Sequence, residues 1–143
     1  MEPVLSRTLP TNVPLRAAAL SAVATLATLT LLAPLPDRIY TAVTAWSVLL
    51  AAVIYLIWGA LRRNLTSGWL WLQTAGVLAY GALAVTAITV DATLARYLLA
   101  AGWLAHAVWD AFHHHADRVV PRWYAEACMT SDVIIAAALI ATA

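Results

Sequence analysis

Long apolar runs separated by short polar punctuation organise this sequence. The first runs from about 13 to 32 and is closed by Pro34 and Pro36. The second, about 38–61, follows Asp37, a residue type suited to an N-cap. The third, about 68–90, follows Ser67. The fourth covers about 92–115. The fifth, about 122–142, follows Pro121, and helices tolerate Pro in their first turn. Each run is close to the roughly 20 residues that a membrane-spanning helix needs. None shows the two-residue alternation of a half-buried strand. The pattern predicts an all-α integral membrane protein: a single transmembrane domain over 1–143, folded as a compact bundle of five transmembrane helices. A bundle of four is the alternative, because the fifth run is short and contains Asp132.

Composition supports the bilayer. Hydrophobic residues make up 64% of the chain and charged residues 10%, against about 25% charged in an ordinary soluble domain. The mean hydropathy is +0.83. The loops are too short for a soluble unit. All eight basic residues are Arg and none form a run, so nucleic acid is not an expected partner. The expected surroundings are a lipid bilayer, that of a bacterial cell membrane, with homo-oligomerisation or association with other membrane subunits. Arg7 and Arg16 precede an apolar run, as in a signal peptide. That run is long for one, and "LLAPLP" offers no small-residue cleavage pattern, so a retained first span is expected. Cys128 is the only cysteine, which excludes an intramolecular disulfide.

The Arg residues also predict an orientation. In the five-span reading, Arg7, Arg16, Arg62, Arg63, Arg118 and Arg122 fall on one side, with only Arg38 and Arg96 on the other. The positive-inside rule then puts the N-terminus in the cytoplasm and the C-terminus outside. Trp58, Trp69, Trp71, Trp123 and Tyr124 are expected in an aromatic belt at the cytoplasmic interface.

Candidate chemistry is concentrated in "GWLAHAVWDAFHHHADR". His106, Asp110, His113 and Asp117 are spaced i, i+4, i+7, i+11, which places them in one stripe of a helix. His114 lies beside the stripe. The fifth run adds Asp132 at a depth of about 15 Å, counting 1.5 Å per residue. Gln73 and Tyr80 on the third run are expected to complete a polar pocket walled by the third, fourth and fifth helices. A carboxylate in the membrane interior costs about 2.5–3.5 kcal/mol on insertion scales, so Asp110 and Asp132 need a partner. A divalent metal supplies one, and His nitrogen with Asp oxygen suits zinc, iron or manganese. The expected metal ligands are His106, Asp110, His113, His114 and Asp132. Asp117 is read as an ion-pair partner of Arg118 or Arg122, and Asp37 and Asp91 as helix caps. No catalytic residue is assigned.

The string "HAVWDAFHHH" resembles the histidine boxes of membrane fatty-acid hydroxylases and desaturases, with Asp110 where those boxes place a His. Four His in the whole chain are too few for the complete di-iron site that this resemblance implies. The His-plus-Asp pattern is also distantly similar to membrane zinc hydrolases of the ceramidase and adiponectin-receptor type, without their order of motifs. The expected function is therefore a small polytopic membrane protein with an intramembrane His/Asp site that binds a divalent metal and acts on a lipid-soluble substrate. Two alternatives stand beside it: a non-catalytic accessory subunit of a larger membrane complex, and a proton- or ion-coupled transport component.

Overall fold

The structure, a computed structural model, describes residues 12–143. Arg7, one of the residues used for the orientation, lies outside them. The described chain forms five helices: α1 (Asn12–Leu32), α2 (Asp37–Leu61), α3 (Ser67–Thr89), α4 (Ala92–Ala116) and α5 (Arg122–Ala141). Helix is what a chain of this composition must form, because in lipid every backbone N–H and C=O has to be bonded within its own segment. Four of the five are long and apolar enough to cross a membrane: α1, α2, α3 and α5. The protein is an all-α bundle integral to a membrane, with four candidate spans among its described residues.

Local chemistry sets the helix ends. Asp91 caps α4, accepting the backbone N–H of Leu94 at 3.0 Å. The same helix stops at Asp117, which takes the left-handed conformation at φ 51°. Two residues later Val119 sits at φ 72°, a region that β-branched residues avoid. Val119 is fully buried, so packing holds the strain. Asp37 does not cap α2. Pro36 occupies that position, and the Asp37 carboxylate accepts from Arg96 at 2.7 Å instead.

Arg96 also donates to the carbonyl of Thr142 at 2.5 Å. The starts of α2 and α4 and the end of α5 therefore share one end of the bundle. It follows that α4 runs antiparallel to α5 and parallel to α2. Close packing runs from α1 to α5, α5 to α4, α4 to α3 and α3 to α2, with α2 also touching α4.

The core divides in two. One part is rich in Ala: Ala45, Ala52, Ala84, Ala87, Ala95, Ala100 and Ala136 are buried around Val48, Leu99 and Leu139. Small side chains let helices approach closely where lipid offers no hydrophobic drive to association. The other part lies towards the opposite end, with Tyr55, Val119, Val120 and Ala125 buried against Trp58, Leu65, Trp69, Trp109 and Tyr124. Trp58, Trp69 and Tyr124, expected in the interfacial belt, pack into this cluster. Trp71 stays outside at 74% exposure.

Candidate functional site

The polar face of α4 turns inwards. His106, Asp110 and His113 are all fully buried, while Leu104, Val108 and Phe112 form its exposed face. The i, i+4, i+7 spacing causes this, since one rotation of the helix hides all three polar residues together. Antiparallel to it, α5 presents buried Asp132 at the level of His106.

His106 is the hub. Its Nδ1 lies 2.8 Å from Asp132 Oδ2 and 3.4 Å from Asp110 Oδ1. One ring nitrogen carries at most one proton, so it cannot serve two carboxylates equally. The closer contact is with Asp132, and Asp110 Oδ1 accepts instead from the Tyr55 hydroxyl on α2, at 2.5 Å. Asp110 Oδ2 and His106 Nε2 find no hydrogen-bond partner among the described residues. One ligand atom from each of His106, Asp110 and Asp132 can be chosen so that all lie within 4.8 Å of one another. The described chain thus contains a buried cluster of one His and two Asp capable of chelating a divalent ion.

The other expected ligands stand elsewhere. His113 Nε2 is 2.8 Å from Gln73 Nε2, so the amide N–H donates and the imidazole accepts there. Its Nδ1 then donates to the Trp109 carbonyl at 2.8 Å. His114 Nε2 is 2.7 Å from Glu126 Oε1, at the half-exposed rim of α4 and α5. Asp117 faces Arg122 at 3.4 Å. Gln73 and Tyr80 are both buried on α3, and the Tyr80 ring meets His106 edge-on at 5.3 Å between centroids. They flank the cluster, Gln73 through His113 and Tyr80 directly.

Two features were absent from the sequence reading. Tyr55 places α2 in the site, whereas only α3, α4 and α5 were expected to wall it. The signal was there, since a hydroxyl in the middle of "AVIYLIW" must find a polar partner when buried. The second feature is a cavity of about 450 Å³ between α1, α2 and α5, with His106 and Asp132 in its lining. On one side of it, Ser21 and Thr25 of α1 bond to Ser131 of α5 at 2.5 and 2.8 Å.

The functional expectation needs correcting. It rested on an intramembrane His/Asp site, carried by a spanning fourth helix. His106 and Asp110 sit on α4, which is not among the four helices identified as membrane-spanning, and only Asp132 comes from a candidate span, α5. The reason is compositional. Arg96, His106, Asp110 and the His113–His115 turn all lie in α4 and make it the more polar helix. No family model matches this chain, and neither does any curated protein or solved structure compared with it.

Proposed function

We propose that this protein is a membrane-resident metal-binding protein in which His106, Asp110 and Asp132 hold one divalent cation in the core of the helical bundle. The observation that carries this reading is the convergence of three buried ligand atoms, from two helices, within 4.8 Å. Charge supports it. With both carboxylates ionised and His106 protonated, the cluster holds a net negative charge in a buried setting. A divalent ion in place of that proton cancels both carboxylates. One imidazole nitrogen with two carboxylate oxygens suits zinc, iron or manganese better than calcium, which takes six to eight oxygen ligands. Three protein ligands also leave a coordination position open, as in metal sites that act on a bound molecule. Tyr55 would orient Asp110 from outside the ligand set.

The test is the metal content of purified protein, by mass spectrometry, in wild type, Asp110→Asn and Asp132→Asn. Both substitutions keep side-chain shape. Stoichiometric zinc, iron or manganese in the wild type, lost in each variant, is the expected result. Wild-type protein that stays metal-free after incubation with each of these ions would overturn the reading.

The orientation belongs to the same proposal. The bundle end that carries Arg62, Arg63, Arg118 and Arg122 faces the cytoplasm, and the end that carries Arg38 and Arg96 faces outwards. The N-terminus is then cytoplasmic and the C-terminus external.

A further inference from the structure

Helices α1 and α2 follow one another in the chain, yet α1 packs on α5 while α2 packs on α3 and α4. The cavity of about 450 Å³ is the gap this leaves. Ala24 and Thr28 of α1 and Val43 of α2 line it and are exposed. The gap therefore opens between α1 and α2 onto the outer surface of the bundle. In a bilayer that surface meets acyl chains.

The lining offers no polar group to an occupant. All six of its Ser and Thr hydroxyls are bonded within the protein. Ser21 and Thr25 bond to Ser131. Thr28, Thr44 and Ser47 each donate to the carbonyl four residues earlier in their own helix. Asp132 is held by His106, and the unpartnered nitrogens of Trp103 and His106 are sealed off. A trapped water needs two to four polar partners, so the surface suits hydrocarbon instead.

Length narrows the occupant further. At 1.5 Å per residue, the lining stretch 123–135 of α5 is about 18 Å long and the stretch 21–32 of α1 about 16 Å. One leaflet contributes half of a hydrocarbon core about 30 Å thick, so a single acyl chain spans a similar distance.

One end of the gap is marked by charge. Trp123 lines it and directly follows Arg122, and Tyr124 meets Trp58 of α2 at 5.7 Å between ring centroids. The end of α2, with Arg62 and Arg63, therefore lies at this same end. All three Arg residues are exposed. Arg122 faces Asp117, but Arg62 and Arg63 form no ion pair among the described residues. An anionic head group complements this end.

From these observations we infer that the gap between α1, α2 and α5 holds one acyl chain of an anionic phospholipid, whose head group lies at the Arg62–Arg63 end. The inference uses neither the metal nor the side of the membrane on which that end lies.

The experiment uses full-length protein in phosphatidylcholine nanodiscs. Two photoprobes carry the same diazirine in mid-chain, one on phosphatidylglycerol and one on phosphatidylcholine. Labelled residues are mapped by mass spectrometry. The phosphatidylglycerol probe is expected to label Leu29, Val43 and Ile135 of the lining above Leu78 and Val85, exposed residues of α3 that report ordinary lipid contact. Ala24→Phe, at an exposed position of the lining, is expected to bring lining labelling down to the α3 level. Arg62→Ala and Arg63→Ala are each expected to lower phosphatidylglycerol labelling of the lining about fivefold and to leave the phosphatidylcholine probe unchanged. Thermal melts of each variant show that the bundle remains folded. Lining labelled no more than α3 overturns the inference, whether the gap is closed or filled by another protein chain. So does Ala24→Phe without effect, or equal labelling by the two probes. Metal content of the same samples reports on the cluster separately.

Discussion

Tyr55 on α2 and Asp110 on α4 are joined by a hydrogen bond of 2.5 Å in which the phenol donates. The residues are 55 positions apart in the chain, and both are essentially inaccessible. This bond ties the α2–α3 pair to the helix that carries the cluster. Removing the hydroxyl leaves Asp110 Oδ1 with only the His106 Nδ1 contact at 3.4 Å, from a nitrogen that already faces Asp132. Tyr55→Phe is predicted to lower stability by about 1.5–3 kcal/mol, the usual worth of a hydrogen bond to a charged group. Unfolding in mixed detergent micelles measures this. A loss below about 0.5 kcal/mol would show that Asp110 does not depend on the phenol.

Asp110→Asn and Asp132→Asn are predicted to be non-additive. Each breaks the same cluster, so the double variant should lose little more than the worse single one. In wild type, zinc at about 100-fold above its dissociation constant should raise stability by about 2.7 kcal/mol. A thermal-shift titration of all four proteins reads both effects. Strict additivity, or an equal zinc shift in the double variant, would count against a shared site.

The five helices were legible because Pro, Arg and Asp interrupt the apolar runs so cleanly. The stripe of His106, Asp110 and His113 was legible for the same kind of reason, since helical period alone puts them on one face. The partners of that face were not. In a membrane bundle the lipid-facing and inward-facing sides are both apolar, so the pattern of α2 or α1 does not say which way it turns. Tyr55 and the α1–α5 cavity went unseen on that account. His113 and His114 share the local sequence of the cluster, yet Gln73 and Glu126 take them elsewhere. Those choices depend on side chains 40 and 12 residues away.

Gly76 and Gly102 offer a contrast in packing. A methyl group added at Gly76 would lie 2.9 Å from the Trp109 ring, and one added at Gly102 would lie 2.2 Å from a terminal carbon of Leu83. The shorter approach is the easier to relieve, because a leucine end can rotate and a packed indole cannot. Gly76→Ala is predicted to cost about 1–3 kcal/mol, as overpacking does, and Gly102→Ala less. Reversal of that order in the same unfolding assay would show that Trp109 has room to move.

Arg96 clamps three chain segments at one end of the bundle, but Asp37 is 63% exposed. Water and salt weaken such a pair. Arg96→Ala is predicted to cost about 1 kcal/mol or less, and the difference should shrink as ionic strength rises. A large, salt-independent loss would mean that the bond to the Thr142 carbonyl dominates.

The orientation can be read by labelling in a Cys128→Ala background. Thr66 and Thr93 are exposed, at the ends of the bundle before α3 and at the start of α4. A membrane-impermeant thiol reagent added to intact cells is predicted to modify Thr93→Cys and to spare Thr66→Cys until the cells are opened. The reverse pattern would invert the topology.

Helix α1 packs closely against α5 and presents no fully buried residue between Leu15 and Leu32. During synthesis α1 is made long before the helix it leans on. Through the translation of the three intervening helices its Ser21 and Thr25 hydroxyls have no Ser131 to meet. The nascent bundle therefore stays open along one seam until α5 arrives. A chain cut short before Arg122 would lack both Ser131, which holds α1, and Asp132, which faces His106.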